Sequence, residues 1–253
     1  MSIEHSFDNK SEPLLSPENF YGKHEKIADI CIATFSHAVH DKVIKNYKCV
    51  KVAYSGTANG KIPIYKLEDY NLLFYMSPIG AASAGCIVDE VHCLTRATKF
   101  IFFGSCGVLD EEKCARKIII PTDAYRDEGF SYHFVPAQDY IQIKNSSKLE
   151  AILNELKTDF VLGKTWTTDA IYRETINNRN ARKAEGCICV EMECSGLQAV
   201  CDFRNLDFYP FFFGGDLLND SSWSRATLGT DIEKKNQIAS FELALKIATS
   251  LKK

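Results

Sequence analysis

Two glutamates bracket a methionine in the segment Val190-Glu191-Met192-Glu193, which follows an apolar run and precedes a stretch of small residues. A buried carboxylate is costly unless a partner charge or hydrogen bonds compensate it. One interpretation places both glutamates in the first turn of a helix, where the helix dipole favours negative charge. The other is that one glutamate accepts hydrogen bonds from a polyhydroxyl ligand such as a sugar. The residue types alone support the two interpretations equally.

A second segment, Gly104-Ser105-Cys106-Gly107, has the composition of an anion-binding turn. Glycines allow backbone N–H groups to converge on a phosphate oxygen, and the Ser105 hydroxyl would add another donor. Such a segment is a weak signal on its own, because glycine-rich turns end strands in many proteins. It therefore predicts a phosphate site only in combination with other features of the chain.

Both segments lie at the ends of apolar stretches in a chain where strand and helix patterns alternate. Residues 99–103 form a continuous apolar run, typical of a strand that is buried on both faces of a sheet. This alternation predicts a three-layer α/β/α fold with a central mixed, twisted sheet. Ligands of open α/β sheets bind at the carboxyl ends of the strands. Further strands are expected at residues 28–33, 49–54, 62–65, 71–76, 118–120, 161–165 and 208–213, and a long final helix at residues 231–251.

The chain has 253 residues, enough for one large α/β domain with a substantial core. We place this domain at residues 27–253, after an irregular N-terminal arm at residues 1–26 that contains Pro13 and Pro17. The polar N-terminus lacks the apolar segment of a secretory signal, and no apolar run approaches the ~18 residues of a transmembrane helix. These features predict a cytoplasmic protein without a membrane partner.

The net charge and the positions of the cysteines limit the kinds of partner and metal site that we expect. The formal net charge of -3 leaves no basic surface, which argues against a nucleic acid polymer. The 10 cysteines are scattered through apolar segments, and no Cys-x-x-Cys pair with zinc spacing occurs. Buried thiols in a reducing compartment explain them better than disulfides or a metal site. We therefore expect no metal.

The segment Val190-Glu191-Met192-Glu193, followed by Gly196-Leu197, resembles the signature of the nucleoside phosphorylase superfamily. In that family the methionine and the second glutamate hold the ribose ring and its hydroxyl groups. The resemblance implies that Met192 and Glu193 are ribose-binding residues here. Glu191, the residue before Met192 on the strand, would then point to the opposite side of the strand and have a structural role.

Two further segments match the family in the same order along the chain. Gly104, Ser105 and the two residues after them are similar to the phosphate-binding segment of hexameric purine nucleoside phosphorylases. Thr167-Thr168-Asp169-Ala170-Ile171-Tyr172 matches the segment that lines the base pocket. The resemblance implies phosphate contacts from Gly104 and Ser105, and a base-pocket wall formed by Ile171 and Tyr172.

Asp216 follows the aromatic run Phe211-Phe212-Phe213, and purine phosphorylases of this superfamily place an aspartate at the corresponding strand end. A purine leaves more easily if its N7 is protonated, and a carboxylic acid can supply that proton. Burial among apolar side chains would raise the carboxyl pKa from about 4 towards neutrality. Arg225 resembles the family arginine that assists the aspartate, so both are expected to be catalytic. The alternative is that Asp216 caps the following turn.

The chain departs from the family at the phosphate site. Phe102 occupies the position of a family arginine, and Thr34-Phe35-Ser36-His37 replaces a segment that contains another. Guanidinium groups supply much of the affinity for phosphate. If no other cation compensates, water would be the nucleophile and the protein would be a nucleosidase. The candidate replacements are His37, Lys42, Lys61 and Arg126.

The resemblance implies a pentosyltransferase of purine salvage, a nucleoside phosphorylase that converts a purine nucleoside to free base and ribose 1-phosphate. Inorganic phosphate would be the co-substrate, and no metal or organic cofactor is required. A nucleosidase, a uridine phosphorylase and a non-catalytic nucleoside-binding protein are the alternatives. The segment from Tyr125 to Phe134 resembles a stretch of uridine phosphorylases, which supports the second of these, but its charges fit a solvated loop equally well. Family members are dimers, trimers or hexamers, which implies a homo-oligomer.

Overall fold

The computed structural model describes residues 2–58, 60–219 and 222–252, which form one mixed β-sheet with helices on both faces. The sheet contains both parallel and antiparallel strand pairs. In chain order its strands are β1 (Ile30–Thr34), β2 (Cys49–Thr57), β3 (Gly60–Leu67), β4 (Leu72–Met76), β5 (Lys99–Val108), β6 (Ile118–Asp127), β7 (Tyr140–Gln142), β8 (Phe160–Thr168), β9 (Cys187–Glu191), β10 (Asp207–Leu218) and β11 (Trp223–Ser224).

Helices cover the two faces of this sheet in separate layers. The helices are α1 (Pro17–Tyr21), α2 (His37–Asn46), α3 (Ala81–Thr95), α4 (Glu111–Cys114), α5 (Ser146–Glu155), α6 (Ile176–Ala184), α7 (Cys194–Phe203) and α8 (Asp231–Ser250). One hydrophobic cluster packs α3 and α7 against one face, and a second packs α2, α5 and α8 against the other. The predicted three-layer α/β/α fold with a central mixed sheet is therefore confirmed. None of these helices is long and apolar enough to cross a membrane, within the residues described.

β5 is the central strand of the fold because it has three partners. It pairs with β1 as far as Phe103, with β9 from Gly107, and with β10 along its other edge. β10 also pairs with β6, and the order continues through β8 and β9. The strands β5, β10, β6, β8 and β9 therefore close into a ring, whereas the sequence suggested an open sheet.

Ring closure extends two strands beyond their predicted ends. The sequence predicts a turn at residues 104–107, but β5 continues through them, because Gly107 pairs with Val190 on one side and with Asp216 on the other. β10 likewise continues past residue 213 to Leu218, so Asp216 lies within a strand. A bulge between Gly214 and Asp216 shifts the register of that pairing. Both segments are thus held by the sheet and are not loops.

The N-terminal arm is less irregular than its sequence suggests, since it contains a 3-10 turn at Ile3–His5 and the short helix α1. The last residue of α1, Tyr21, fastens the arm to the domain. Its hydroxyl donates to the Glu90 carboxylate at 2.8 Å and accepts the Gly56 N–H at 2.9 Å. The arm therefore bridges α3 and the β2–β3 hairpin.

Candidate active site

One row of residues across three neighbouring strands connects the segment predicted to bind ribose with the candidate acid. Gly107 of β5 lies between Val190 of β9 and Asp216 of β10. A Cβ atom built on Gly107 would lie 2.8 Å from Val190 Cγ1 and 3.6 Å from Asp216 Oδ1. Strands lie about 4.8 Å apart, so Val190 and Asp216 are separated by roughly 10 Å across this row. The absence of a side chain at Gly107 leaves room for the side chains of Val190 and Leu218, which pack against its backbone.

Glu193 follows the end of β9 and is only 9% exposed. Its Oε1 accepts the backbone N–H of Gly80 at 2.7 Å, at the start of α3. Gly80 has a φ of 95°, a conformation that favours glycine. Burial raises the pKa of Glu193 to about 8, and the negative charge of Glu191 adds to that effect. Met192 is half-buried beside it. The predicted ribose-binding pair therefore lies at the carboxyl end of β9, beside the loop that precedes α3.

Glu191 points inward and is bound by hydrogen bonds on both oxygens. Its Oε2 accepts the backbone N–H groups of Glu193 at 2.7 Å and Cys194 at 2.6 Å, which are at the start of α7. Its Oε1 accepts the hydroxyl groups of Thr167 at 2.6 Å and Thr165 at 3.3 Å. Burial raises the pKa of Glu191 to about 7, although these hydrogen bonds act in the opposite direction. Glu191 thus has the geometry of a helix cap, whereas Glu193 does not.

The hydrogen bonds of Glu191 continue into a buried network that sequence analysis missed. The Ser195 N–H donates to Thr167 Oγ1 at 3.1 Å, and the Ser195 hydroxyl donates to Glu128 Oε1 at 2.9 Å. The other Glu128 oxygen accepts the Ser131 N–H at 2.9 Å. Serine and glutamate side chains at these positions carry no sequence signal, because their partners are distant in the chain. The network connects β8, α7 and the loop after β6 beneath Glu193.

Asp216 is partly buried in β10, and its partner differs from the one expected. Its Oδ2 accepts the indole N–H of Trp223 at 2.6 Å. Burial raises the pKa of Asp216, and the charge of Glu233 raises it further. The guanidinium of Arg225 is exposed and donates from Nε to the Leu228 carbonyl oxygen at 2.6 Å. Within the described residues Arg225 and Asp216 form no ion pair, so the expected pairing is replaced by Trp223.

The predicted phosphate segment is an extended strand that packs against aromatic and backbone atoms. A Cβ atom on Gly104 would lie 3.3 Å from Phe35 Cδ2, and the Phe35 and Phe102 ring centroids are 5.8 Å apart. Phe102 is 1% exposed and belongs to the core beneath α3 and α7. The side chain of Ser105 lies against Gly215, where a Cβ atom would approach Ser105 Cβ to 2.9 Å. Phe102, which occupies the sequence position of the family arginine, is therefore a core residue.

None of the four candidate replacement cations forms a hydrogen bond with Ser105 in the part of the chain that the structure describes. Arg126 is buried, and its Nε donates to Ser131 Oγ at 2.8 Å while Nη1 donates to the Pro136 carbonyl at 2.7 Å. The Lys61 ammonium lies 4.1 Å from the centroid of the Tyr54 ring. The exposed side chains of His37 and Lys42 lie on α2. Arg126 has the contacts of a structural residue in the loop after β6.

The predicted base-pocket wall is open to solvent in the single chain. Ile171 and Tyr172 lie in a 3-10 turn and are 51% and 96% exposed. Asp169 is fixed beside them, since its Oδ2 accepts the Gly129 N–H at 3.0 Å, and burial raises its pKa. Glu174, just after the turn, has its pKa raised to about 7 by burial and then by the charge of Asp216. Glu174 and Asp216 are therefore two neighbouring carboxyl groups near the predicted base-pocket residues.

The profile of the phosphorylase superfamily matches residues 29–249. The DeoD-type purine nucleoside phosphorylase 1 of Shewanella oneidensis is 27% identical over 139 residues, which are 54% of this chain and 58% of that protein. Guanosine phosphorylase of Halorubrum lacusprofundi is 23% identical over 192 residues, which are 73% of this chain and 70% of that protein. The chain spans about half the length of the DeoD-type relatives it matches.

Two solved structures share the fold over most of the chain. AMP nucleosidase of Bacteroides thetaiotaomicron has a TM-score of 0.68 at 17% identity and covers 89% of both chains. A futalosine hydrolase mutant of Helicobacter pylori has a TM-score of 0.68 at 12% identity and covers 88% of this chain and 100% of that one. At these identities the likeness concerns the fold alone. The family profile extends over most of the residues, and the chain belongs to the phosphorylase superfamily.

Proposed function

We propose that this protein cleaves the N-glycosidic bond of a purine nucleoside. The observation that carries the proposal is the row Val190–Gly107–Asp216, in which the strand that leads to Glu193 and the strand that holds Asp216 pair with the two edges of β5. A carboxylate that binds sugar hydroxyls and an acid that protonates the base are the two groups such a cleavage needs. The relatives named purine nucleoside and guanosine phosphorylase support a purine substrate.

Each residue would act at a different atom of the nucleoside. Glu193 would accept hydrogen bonds from the ribose hydroxyls, with Met192 packed against the ring. As the bond from C1′ to N9 breaks, its electron pair moves to the base, and positive charge develops on the sugar near Glu193. The proton of Asp216 is transferred to N7, which neutralises the departing base. Burial raises the pKa of Asp216, and this favours the protonated acid that the step requires.

Phosphate is the proposed acceptor of the ribosyl group, which gives ribose 1-phosphate and makes the protein a pentosyltransferase of purine salvage. Gly104 and Ser105 would contact the phosphate, and no metal or organic cofactor takes part. An oxygen of phosphate forms the new bond to C1′ as the base departs. The names of the sequence relatives support this acceptor.

Hydrolysis by the same site is the second candidate function, and the surroundings of Ser105 favour it. Phe35 packs against Gly104, and Phe102 lies in the core, so neither position supplies a cation. The carboxyl groups of Glu174 and Asp216 lie near the predicted base-pocket residues, and a phosphate dianion would be repelled by either one when it is ionised. Water carries no charge and meets neither obstacle.

One assay separates the two acceptors. The protein is incubated with inosine, guanosine, adenosine and uridine, with and without phosphate, and the free base and ribose 1-phosphate are measured. Phosphate-dependent release of a purine base would support phosphorolysis. Release at the same rate without phosphate would replace phosphorolysis by hydrolysis, and a preference for uridine would contradict the purine assignment. Binding of a nucleoside without release of its base would contradict catalysis.

We further propose a cytoplasmic homo-oligomer. The 10 cysteines are all free thiols, which suits a reducing compartment. Ile171 and Tyr172 are exposed, and a second copy that covers them would complete the base site. Light scattering at assay concentration tests the assembly, and a monomer that retains full activity would contradict it.

A further inference from the structure

Trp223 is anchored by its polar edge and exposed on its aromatic face. It lies on β11, where it pairs with Leu218 at the end of β10. Its indole Nε1 donates to Asp216 Oδ2 at 2.6 Å, while the residue remains 58% exposed. The hydrogen bond therefore orients the indole with its N–H towards Asp216.

The two oxygens of Asp216 have different surroundings. Oδ2 accepts the indole N–H, whereas Oδ1 lies 3.6 Å from where a Cβ atom of Gly107 would stand and, within the described residues, accepts no hydrogen bond from another side chain. We propose that Trp223 is a positioning residue, which holds Oδ2 of Asp216 so that Oδ1 carries the proton to the departing base. This inference rests on the proposed function and assigns to Trp223 the place that the sequence suggested for Arg225.

The charge of the donor matters for an acid that must be protonated. A guanidinium beside Asp216 would stabilise the carboxylate strongly and lower its pKa, whereas the neutral indole opposes the effect of burial only in part. The ionisable groups that face Asp216 from the adjacent elements are Glu233 on α8 and Glu174 before α6. The nearby cation, Arg179, directs its Nε to the Leu218 carbonyl oxygen at 3.0 Å. The surroundings thus favour the protonated form.

The hydrogen bond also strengthens during the reaction. When the O–H bond at Oδ1 breaks and the N–H bond of the base forms, the negative charge spreads over both oxygens of Asp216. The bond from Trp223 then becomes charge-assisted and stronger than in the ground state. An interaction that is stronger in the transition state raises kcat more than it lowers KM.

The test uses Trp223→Phe, which keeps an aromatic ring and removes the N–H donor. We expect kcat for the cleaved nucleoside to fall by roughly tenfold or more, with KM changed by less than about twofold. Because the hydrogen bond lowers the pKa of Asp216, its removal should move the alkaline fall of the kcat profile to higher pH. Trp223→His, which can donate from a ring nitrogen, should recover part of the loss. Tyr54→Phe, a change at another exposed aromatic residue, is the matched control.

A second measurement does not require catalysis. Tryptophan emission should change in a step as the pH is raised and Asp216 ionises. This step should be absent from Trp223→Phe and from Asp216→Asn. The buried Trp166 is present in the wild type and in both variants, so it contributes equally to each spectrum. Unchanged kcat and pH profile in Trp223→Phe would overturn the inference, as would a fall in kcat with no shift of the alkaline limb. If the emission step is observed but the protein cleaves no nucleoside, the hydrogen bond between Trp223 and Asp216 would be supported. The proposed function and the role of Asp216 as an acid would both be overturned.

Discussion

The Oε2 atom of Glu191 accepts the backbone N–H of Glu193 at 2.7 Å, so the first glutamate of the pair fixes the position of the second. The same oxygen accepts the N–H of Cys194, which is one of the unpaired donors at the start of α7. The two carboxylates that look equivalent in the sequence therefore have different tasks. Glu191 determines where the chain leaves β9, and Glu193 accepts the Gly80 N–H beside the start of α3.

This division predicts different effects from the same substitution. Glu193→Gln keeps the size of the side chain but removes the charge that Glu193 carries above its pKa of about 8, and at pH 9 we expect kcat/KM to fall by roughly 100-fold. Glu191→Gln can still accept the N–H groups of α7 through its amide oxygen, and its loss should be about tenfold or less. Steady-state kinetics of the two variants test this order. A larger loss for Glu191→Gln would contradict the assignment of Glu193 as the ribose ligand.

The buried pair should also make stability depend on pH. The pKa values of Glu191 and Glu193, about 7 and about 8, lie above the value of about 4.3 for an unfolded glutamate. The folded state therefore binds protons more tightly than the unfolded state. The stabilisation that these two groups give the folded state is full below pH ~4.3 and is lost as the pH rises through 7 and 8.

We expect the free energy of unfolding to fall between pH 6 and pH 9 by up to about 4 kcal/mol through these groups. Denaturant unfolding at each pH measures this. The Glu191→Gln variant should show a weaker fall, whereas Glu155→Gln, a change at an exposed position on α5, should behave as the wild type. An equal pH dependence in Glu191→Gln and the wild type would show that Glu191 does not titrate in this range.

Gly107 is a position where one methyl group should disturb both halves of the site. A Cβ atom there would lie 2.5 Å from Leu218 Cδ1 and 2.8 Å from Val190 Cγ1, closer than side chains pack. Gly107→Ala should lower the free energy of unfolding by about 1–3 kcal/mol and also reduce kcat, because Leu218, on the same strand as Asp216, must move. Gly56→Ala is the matched control, since its Cβ atom would meet only the Tyr21 hydroxyl at 3.8 Å. If Gly107→Ala kept full activity, the row would not position the acid.

The sequence predicts the layers and the ribose segment because both depend on local patterns. Alternating burial in β5 places Phe102 in the cluster beneath α3 and α7 and Phe103 in the cluster beneath α8, as a period of two requires. Ring closure has no such local pattern, since it depends on the pairing of β5 with β9 and β10. The predicted turn at residues 104–107 was wrong for that reason.

The partner of Asp216 could not be predicted for a related reason. Arg225 and Trp223 are two residues apart, and only the short strand β11 decides which of them faces Asp216. Residue type favoured the arginine, because a cation is the stronger partner for a carboxylate. The geometry instead directs Arg225 to the Leu228 carbonyl. Residue type alone therefore predicts the partner of a side chain least reliably where a hairpin sets the direction in which the neighbouring side chains point.

Arg126 allows a test of whether a buried guanidinium serves the fold or the phosphate. It is 3% exposed, and its donors reach Ser131 Oγ at 2.8 Å and the carbonyl oxygens of Pro136 at 2.7 Å and Gln138 at 3.3 Å. Arg126→Ala leaves these buried acceptors without donors, so we expect the free energy of unfolding to fall by about 2–4 kcal/mol. Arg126→Lys keeps the charge but lacks the planar fork, and it should be destabilised nearly as much.

The control for this change is Arg204→Ala, which removes a partly exposed ion pair with Asp89 and should cost less than about 1 kcal/mol. The KM for phosphate distinguishes the two roles. If Arg126 is structural, the KM of the Arg126→Lys variant should stay within about twofold of the wild-type value when both are assayed below the unfolding transition of the variant. A tenfold rise in the KM for phosphate in Arg126→Lys, with stability near that of the wild type, would instead make Arg126 a phosphate ligand. It would also remove the main structural argument for hydrolysis, since the site would then contain the cation that phosphate requires.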